Sequence, residues 1–304
     1  MTTDKVPAVE AMADYLAIKA FSSGMAHTLL TQCPLEAWLD SPWNPDREQA
    51  ESEVADIGTY AHACLLEGGT DKLFSIDPEQ YRSKPTKANP EGNIPKGWGN
   101  NAIRQARDDA KARGDLPVLK ESVDAVKAMV ETAKAFIATS PLAAILEIGK
   151  TEQTIVWKDS GILCKARPDI LLPDGTMIHY KTTKRSVRPE SFARTIVNMG
   201  YDISMMFYAR AVQNCPGQYL LAQQQHGSYA CQLFALTPAQ AEISSVNVAR
   251  AIRIWAECQK LGEYPAYSSE IFYVEPTPWQ LAQAEQNMAE DELTEEELEG
   301  GIPG

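Results

Sequence analysis

The stretch GILCKARPDILLPDGTMIHYKTT, residues 161–183, carries an acid, an imidazole and an amine where a purely structural hairpin would carry Val or Thr: Asp169, His179 and Lys181. It reads as two strands joined by a tight turn at Pro173-Asp174-Gly175, with polar heads set among alternating apolar residues at one end of a sheet. A carboxylate that stays charged in such a place needs a metal ion or hydrogen-bond donors, and a neighbouring amine can orient or deprotonate a water. Taken singly, each residue has a plainer explanation. An Asp after Pro is usually a turn residue, a lone His a structural or surface one, and a strand Lys a solvated one. Asp174, inside the PDG turn, is explained by turn chemistry alone.

Other elements must position that hairpin. Residues 8–39 read as helix, interrupted at FSSG (21–24), where Ser22 or Ser23 can cap a new helix that runs past His27 to Cys33-Pro34. A second helix is expected from Asp56-Ile57-Gly58-Thr59 to Glu67, stopped by Gly68-Gly69. Residues 76–100, rich in Pro, Gly and Asn without an apolar period, read as a loop. Apolar residues at 119, 123, 126, 129, 130, 133, 136 and 137 predict a long amphipathic helix over 118–138.

The period then shortens. TIVW (154–157), ILCKAR (162–167), DILLP (169–173) and TMIHYK (176–181) read as an antiparallel meander with DSG and PDG turns. RPESFARTIVN and ISMMFYARAVQ return to helical spacing, YLLAQQ and YACQLFAL give two more strands, and the segment from Thr237 to Gly262 a closing helix. This order favours a sheet flanked by helices, in the α+β (α/β) class. The expected organisation is one domain over 1–284, with an N-terminal helical segment and the loop at 76–100, followed by an acidic tail at 285–304.

The net charge of −13 argues by itself against a polyanionic partner, but the charge is uneven. Residues 285–299 hold eight acids and no Lys or Arg, whereas KTTKRSVRPESFAR (181–194) holds five Lys or Arg against one Glu, the local basic patch that nucleic acid requires. Six cysteines lie far apart without a C-x-x-C pair, a spacing that suggests neither a zinc knuckle nor an iron–sulfur cluster and suits free, mostly buried thiols in a reducing compartment. No stretch approaches the roughly 20 apolar residues of a membrane span, and the N-terminus lacks a signal-peptide layout, so a cytoplasmic location is expected. Phosphate-binding, nucleophile-elbow, dinucleotide and H-E-x-x-H motifs are all absent.

Pro168-Asp169 followed by His179-Tyr180-Lys181-Thr182-Thr183 resembles the PD-(D/E)XK nuclease signature. More narrowly, the chain resembles the RecE-type exonucleases (the exonuclease VIII group) and their RecB-like relatives. GTYAHACLLEGG (58–69) is similar to that group's upstream helix with a metal-binding His, FSSGMAHTLLTQCPLEAW to its N-terminal segment, and GYDISMMFYARAV to the helix after the Lys, which usually carries Q-x-x-x-Y. The resemblance spans about residues 15–280. It implies a restriction-endonuclease-like core with a central mixed sheet, and phosphodiester hydrolysis assisted by Mg²⁺ or Mn²⁺.

Carried over by position, His62 and Asp169 are expected as metal ligands, with the Tyr180 carbonyl completing the shell and Lys181 activating the water. Lys184, Arg185, Arg188 and Arg194 are expected to hold the DNA backbone, joined by Ser204 and Tyr208 from the later helix. Two positions depart from the pattern: His179 stands where the group has an acid, and Ser204 where it usually has Gln. If His179 is a ligand, imidazole shifts the preference toward Mn²⁺. Glu152 and Glu190 are the acids that could compensate, although a surface or capping role is expected for both.

The implied function is a 5′-to-3′ exonuclease, phage- or prophage-borne, that resects double-stranded DNA ends for a single-strand-annealing protein and works as a ring-shaped homo-oligomer. The alternative is a nuclease-fold protein that binds DNA ends or a partner protein without cutting.

Overall fold

The computed structural model describes residues 12–47, 57–87, 89–212 and 215–299. Its first unit, up to Ala266, contains every strand described, and its second, from Tyr267, contains the last helix. Helices α1 (Met12–Ala17), α2 (Ser23–Thr31), α3 (Pro34–Leu39) and α4 (Ile57–Leu66) come first, then β1 (Leu73–Ile76), α5 (Asn101–Ala112), β2 (Leu116–Leu119) and α6 (Lys120–Ala138). The short α7 (Ile145–Ile148) leads into β3 (Lys150–Thr151), β4 (Ile155–Asp159), β5 (Ile162–Ala166), β6 (Ile170–Leu171) and β7 (Met177–Thr183). Then follow α8 (Pro189–Asn198), α9 (Tyr201–Ala209), β8 (Gln218–Gln224), β9 (Cys231–Phe234), α10 (Pro238–Leu261) and, in the second unit, α11 (Pro278–Glu299). The acidic run from residue 285 lies inside α11. Among the described residues no helix is long and apolar enough to cross a membrane.

The central sheet runs in the order β3-β6-β7-β8-β9 and is mixed, because β7 and β8 pair in parallel while the other neighbours are antiparallel. Helices cover both faces, as the α+β reading requires. On one face Ile178, Tyr180 and Leu221 pack with Tyr60 and Ala61 of α4 and Met129, Val130 and Ala133 of α6. On the other, Leu220 and Ala222 pack with Phe192 and Ile196 of α8 and Met205 of α9. The buried positions of α6 (126, 129, 130, 133, 137) are those its apolar period predicts.

A separate core joins α2, α9 and α10 to β4 and β5 through Phe21, Trp157, Phe207 and Trp255. Ser22 caps α2 by accepting from Met25 N–H at 3.4 Å, and Phe21 beside it bridges to Cys164 of β5.

Two expectations are corrected. The four strands between 154 and 183 do not form one meander: β4 and β5 make a separate two-stranded sheet, while β6 and β7 belong to the central sheet. Arg167-Pro168-Asp169 makes the crossing, where Pro168 has no N–H with which to continue a ladder. The helix expected over 118–138 begins at Lys120, because Leu116–Leu119 pairs in parallel with β1 as β2, whereas the loop expected at 76–100 carries, among its described residues, only the end of β1 and a short 3₁₀ turn at Pro78–Tyr81. Helix α5 buries only Ile103 and Ala110, too few apolar positions to mark a period.

Candidate metal centre

Strand pairing brings the acids together. Thr151 of β3 pairs with Ile170 of β6, so the residues just beyond them, Glu152 and Asp169, share one edge, and Glu152 N–H donates to the Asp169 carbonyl at 3.2 Å. Glu152 is held in the left-handed region at φ 52°, where a non-glycine residue costs on the order of 1 kcal/mol. Its carboxylate is thereby turned inward, and Arg167 Nε donates to Oε2 at 2.8 Å.

Helix α4 supplies His62. Gly58 lies so close to β7 that an added Cβ would sit 2.1 Å from Thr182 Oγ1, so a side chain there would push the helix off the sheet. One turn further on, His62 stacks on the Tyr180 ring at 5.6 Å and sets its Nε2 3.4 Å from Asp169 Oδ1 and 3.9 Å from Glu152 Oε1. His62, Glu152 and Asp169 thus present three ligand atoms within 4.8 Å of one another.

Lys181 projects from β7 to place Nζ 3.5 Å from Asp169 Oδ2, with 39% of its side chain exposed. The same oxygen accepts from Tyr180 N–H at 2.6 Å. In a strand the N–H and C=O of one residue point to the same side, so the Tyr180 carbonyl also faces the Asp169 edge.

The electrostatics divide the two acids. Burial would raise Asp169, but Lys181 and His62 outweigh it and hold the carboxyl well below the usual range. Burial raises Glu152 against the pull of its Arg167 hydrogen bond, and the charge on Asp169 adds to the rise. Desolvation alone would lower Lys181, yet Asp169 keeps its ammonium above the ordinary lysine value. Two carboxylates forced together in this way are relieved by a cation placed between them. A His and two acids with an open side fit a hard or borderline divalent ion.

The structure therefore brings together His62, Asp169 and Lys181 and adds Glu152, whose side chain is only 10% exposed and is neither a surface residue nor a cap. The signal for Glu152 in the sequence was only its place ahead of a strand. Its left-handed turn has no residue-type signature. Glu190 is a surface residue, as expected, paired with Arg188 at 2.9 Å.

His179 does not join the three-ligand group. It is buried, its Nε2 lies 2.8 Å from Gln218 Oε1, and burial pushes it below its ordinary value against the pull of Asp169. Tyr208 on α9 lies against the His179 ring at 5.3 Å, and Ser204 sits half-buried one turn earlier. Lys184, Arg185, Arg188 and Arg194 are exposed, where β7 ends and α8 begins.

Two residues that the sequence reading passed over brace the site from β8. Gln223, fully buried, accepts from the Tyr180 hydroxyl and donates to the Met129 and Tyr229 carbonyls at 2.9 and 3.0 Å. Gln218 does the corresponding work for His179 on the opposite face. Polar residues in a strand buried on both faces, as in QYLLAQQ, are the signal that could have found them.

Comparisons with known proteins bear on what such a site belongs to. A crystal structure of a putative exonuclease from Eubacterium rectale shares the fold, with a TM-score of 0.51 at 12% identity over 89% of this chain and 95% of that one. The alkaline exonuclease LHK-Exo of Laribacter hongkongensis aligns with a TM-score of 0.29 at 14% identity over 67% and 95%, a likeness too distant to weigh. No curated protein matches the chain. The family described as "PDDEXK-like domain of unknown function (DUF3799)" matches residues 19–277, a span that runs from the Phe21 bridge through the acid pair and Lys181 to the end of α10 and beyond. Fold and family thus coincide on the same residues, and the chain belongs to this PDDEXK-like, that is PD-(D/E)XK, family.

Proposed function

We propose that this protein is a divalent-metal-dependent deoxyribonuclease, an exonuclease acting on the ends of linear double-stranded DNA. The observation that carries the reading is the His62–Glu152–Asp169 group, built around the buried Asp169, with the Lys181 amine 3.5 Å from Asp169. The metal, Mg²⁺ or Mn²⁺, would be held by these three side chains and supply charge neutralisation at the scissile phosphate. Lys181 would orient the attacking water. Glu152, not His179, fills the place of the missing motif acid.

Exposed Lys184, Arg185 and Arg194 form no ion pair within 4 Å among the described residues. Free cations of this kind suit a phosphate backbone, and their contribution falls with salt. A 5′-to-3′ direction, a ring of subunits and a single-strand-annealing partner accompany this reading through the resemblance to RecE-type exonucleases.

The test is loss of end-labelled linear duplex in Mg²⁺, Mn²⁺ or EDTA, with covalently closed circular DNA alongside. Metal-dependent loss of the linear DNA alone, abolished in Lys181→Ala, is the expected result. Binding of DNA ends without loss in any metal would instead favour a protein that binds and does not cut.

A further inference from the structure

The buried pair His179–Gln218 carries more information than its single hydrogen bond. Gln218 Nε2 donates to the Met205 main-chain carbonyl of α9 at 2.5 Å. That carbonyl can only accept, so the amide must turn its NH₂ toward it and its oxygen toward His179. Oε1 likewise can only accept, which requires the proton of His179 to sit on Nε2, 2.8 Å away. No described residue hydrogen-bonds Nδ1. Alternation along β7 sets His179 on the same face as Lys181.

We propose that Gln218 is a positioning residue that locks His179 as the Nε2–H tautomer. Nδ1 is thereby kept as a neutral hydrogen-bond acceptor at the motif's acid position, taking a proton donor such as a metal-bound water and not the metal itself. The second half rests on the nuclease reading; the tautomer does not. His179 stands outside the group of atoms close enough to share one ion, which is why an outer role is assigned to it. A glutamine anchored on a main-chain carbonyl can act this way because only one orientation of its amide satisfies both neighbours.

The experiment is a long-range ¹H–¹⁵N spectrum of the imidazoles in the full chain. There are four histidines, and His179→Asn identifies the signal of interest. Expected are a protonated Nε2 and an unprotonated Nδ1 in the native protein, and a mixed tautomer in Gln218→Leu. With ¹¹³Cd²⁺ added, the His62 nitrogen should couple directly to the metal while His179 Nδ1 shows no such coupling. Turnover on linear DNA should fall about 10- to 100-fold in Gln218→Leu with metal affinity unchanged.

A protonated Nδ1, a tautomer indifferent to Gln218→Leu, or direct ¹¹³Cd coupling to His179 Nδ1 would overturn the proposal. Should Gln218→Leu fail to fold, the native spectrum alone still decides the tautomer. If no ¹¹³Cd coupling reaches His62, the metal-site reading fails while the locked tautomer remains a separate result.

Discussion

Asp159 and Asp169 are both buried carboxylates at the ends of short strands, and they are satisfied in opposite ways. Asp159 accepts from Arg210 at both oxygens, at 2.5 and 3.1 Å, and from the Ser160 hydroxyl at 3.0 Å. One acid meets one guanidinium, and the account is closed. Asp169 faces a second carboxylate, Glu152, with His62 and Lys181 at 3.4 and 3.5 Å, beyond ordinary hydrogen-bond length. The first arrangement is built to hold the β4–β5 hairpin against α9; the second leaves an excess of oxygen ligands with room for a cation. Burial of an acid is thus no pointer to function until its partners are counted and measured.

The largest expected effects break the open member of the pair. Asp169→Asn or Lys181→Ala should lower the rate of duplex degradation at least about 10³-fold, roughly 4 kcal/mol of barrier. Folding stability of Asp169→Asn should fall by less than the barrier to cleavage rises, because the lost pairing with Lys181 and His62 is partly offset by relief of Glu152, the two acids being shifted in opposite directions. Urea titration beside a rate assay checks both halves. A large stability loss would place Asp169 with Asp159 as a structural acid.

Next in size is Glu152→Gln. Mn²⁺ or Mg²⁺ affinity, followed by titration calorimetry, should weaken about 10- to 100-fold. The same measurement on His179→Asn should show little change. Equal losses would return position 179 to the metal shell.

How much of this could be read from the sequence follows the same division. Asp169, Lys181 and His62 were legible because each sits in a motif with fixed spacing, and α6 and α10 because their apolar period is long. Glu152 was named only as an outside candidate. What recruits it is the β3–β6 pairing and a left-handed backbone, and neither leaves a mark in residue types. Gln218 and Gln223 were missed because strand patterns are scanned for apolar residues, while a glutamine bracing β7 is polar and buried. The β4–β5 hairpin was mistaken for part of the main sheet because β-propensity records strands and not their partners. The basic run at 184–194 was legible as charge, but its exposure at the end of β7 needed the fold.

The closed member of the pair supplies a smaller effect. Asp159→Asn removes one charge of a buried pair whose Arg210 side chain is one-third exposed. Breaking fully buried pairs costs about 3–5 kcal/mol, so with solvent screening the loss here should be about 2 kcal/mol, with metal affinity and specific activity unchanged. Denaturant melts of the native chain and the variant give the value.

The same pair makes a finer prediction about pH. Burial works to raise the Asp159 carboxyl, but the Arg210 hydrogen bonds and charge outweigh it and leave the group below its ordinary value in the folded chain. A depressed folded value means that the unfolded chain binds the proton first, so the stabilisation is complete above the unfolded carboxyl range, about pH 4, and disappears as pH falls through the lower folded value. The stability difference between the native chain and Asp159→Asn should therefore be constant from neutral pH down to about 5 and shrink below about 4. Asp169 also loses stabilisation on acidification, but it does so in both proteins and cancels in the difference. A difference that stayed flat to pH 3 would mean that the Asp159–Arg210 pair contributes through shape and hydrogen bonding, with the charge incidental.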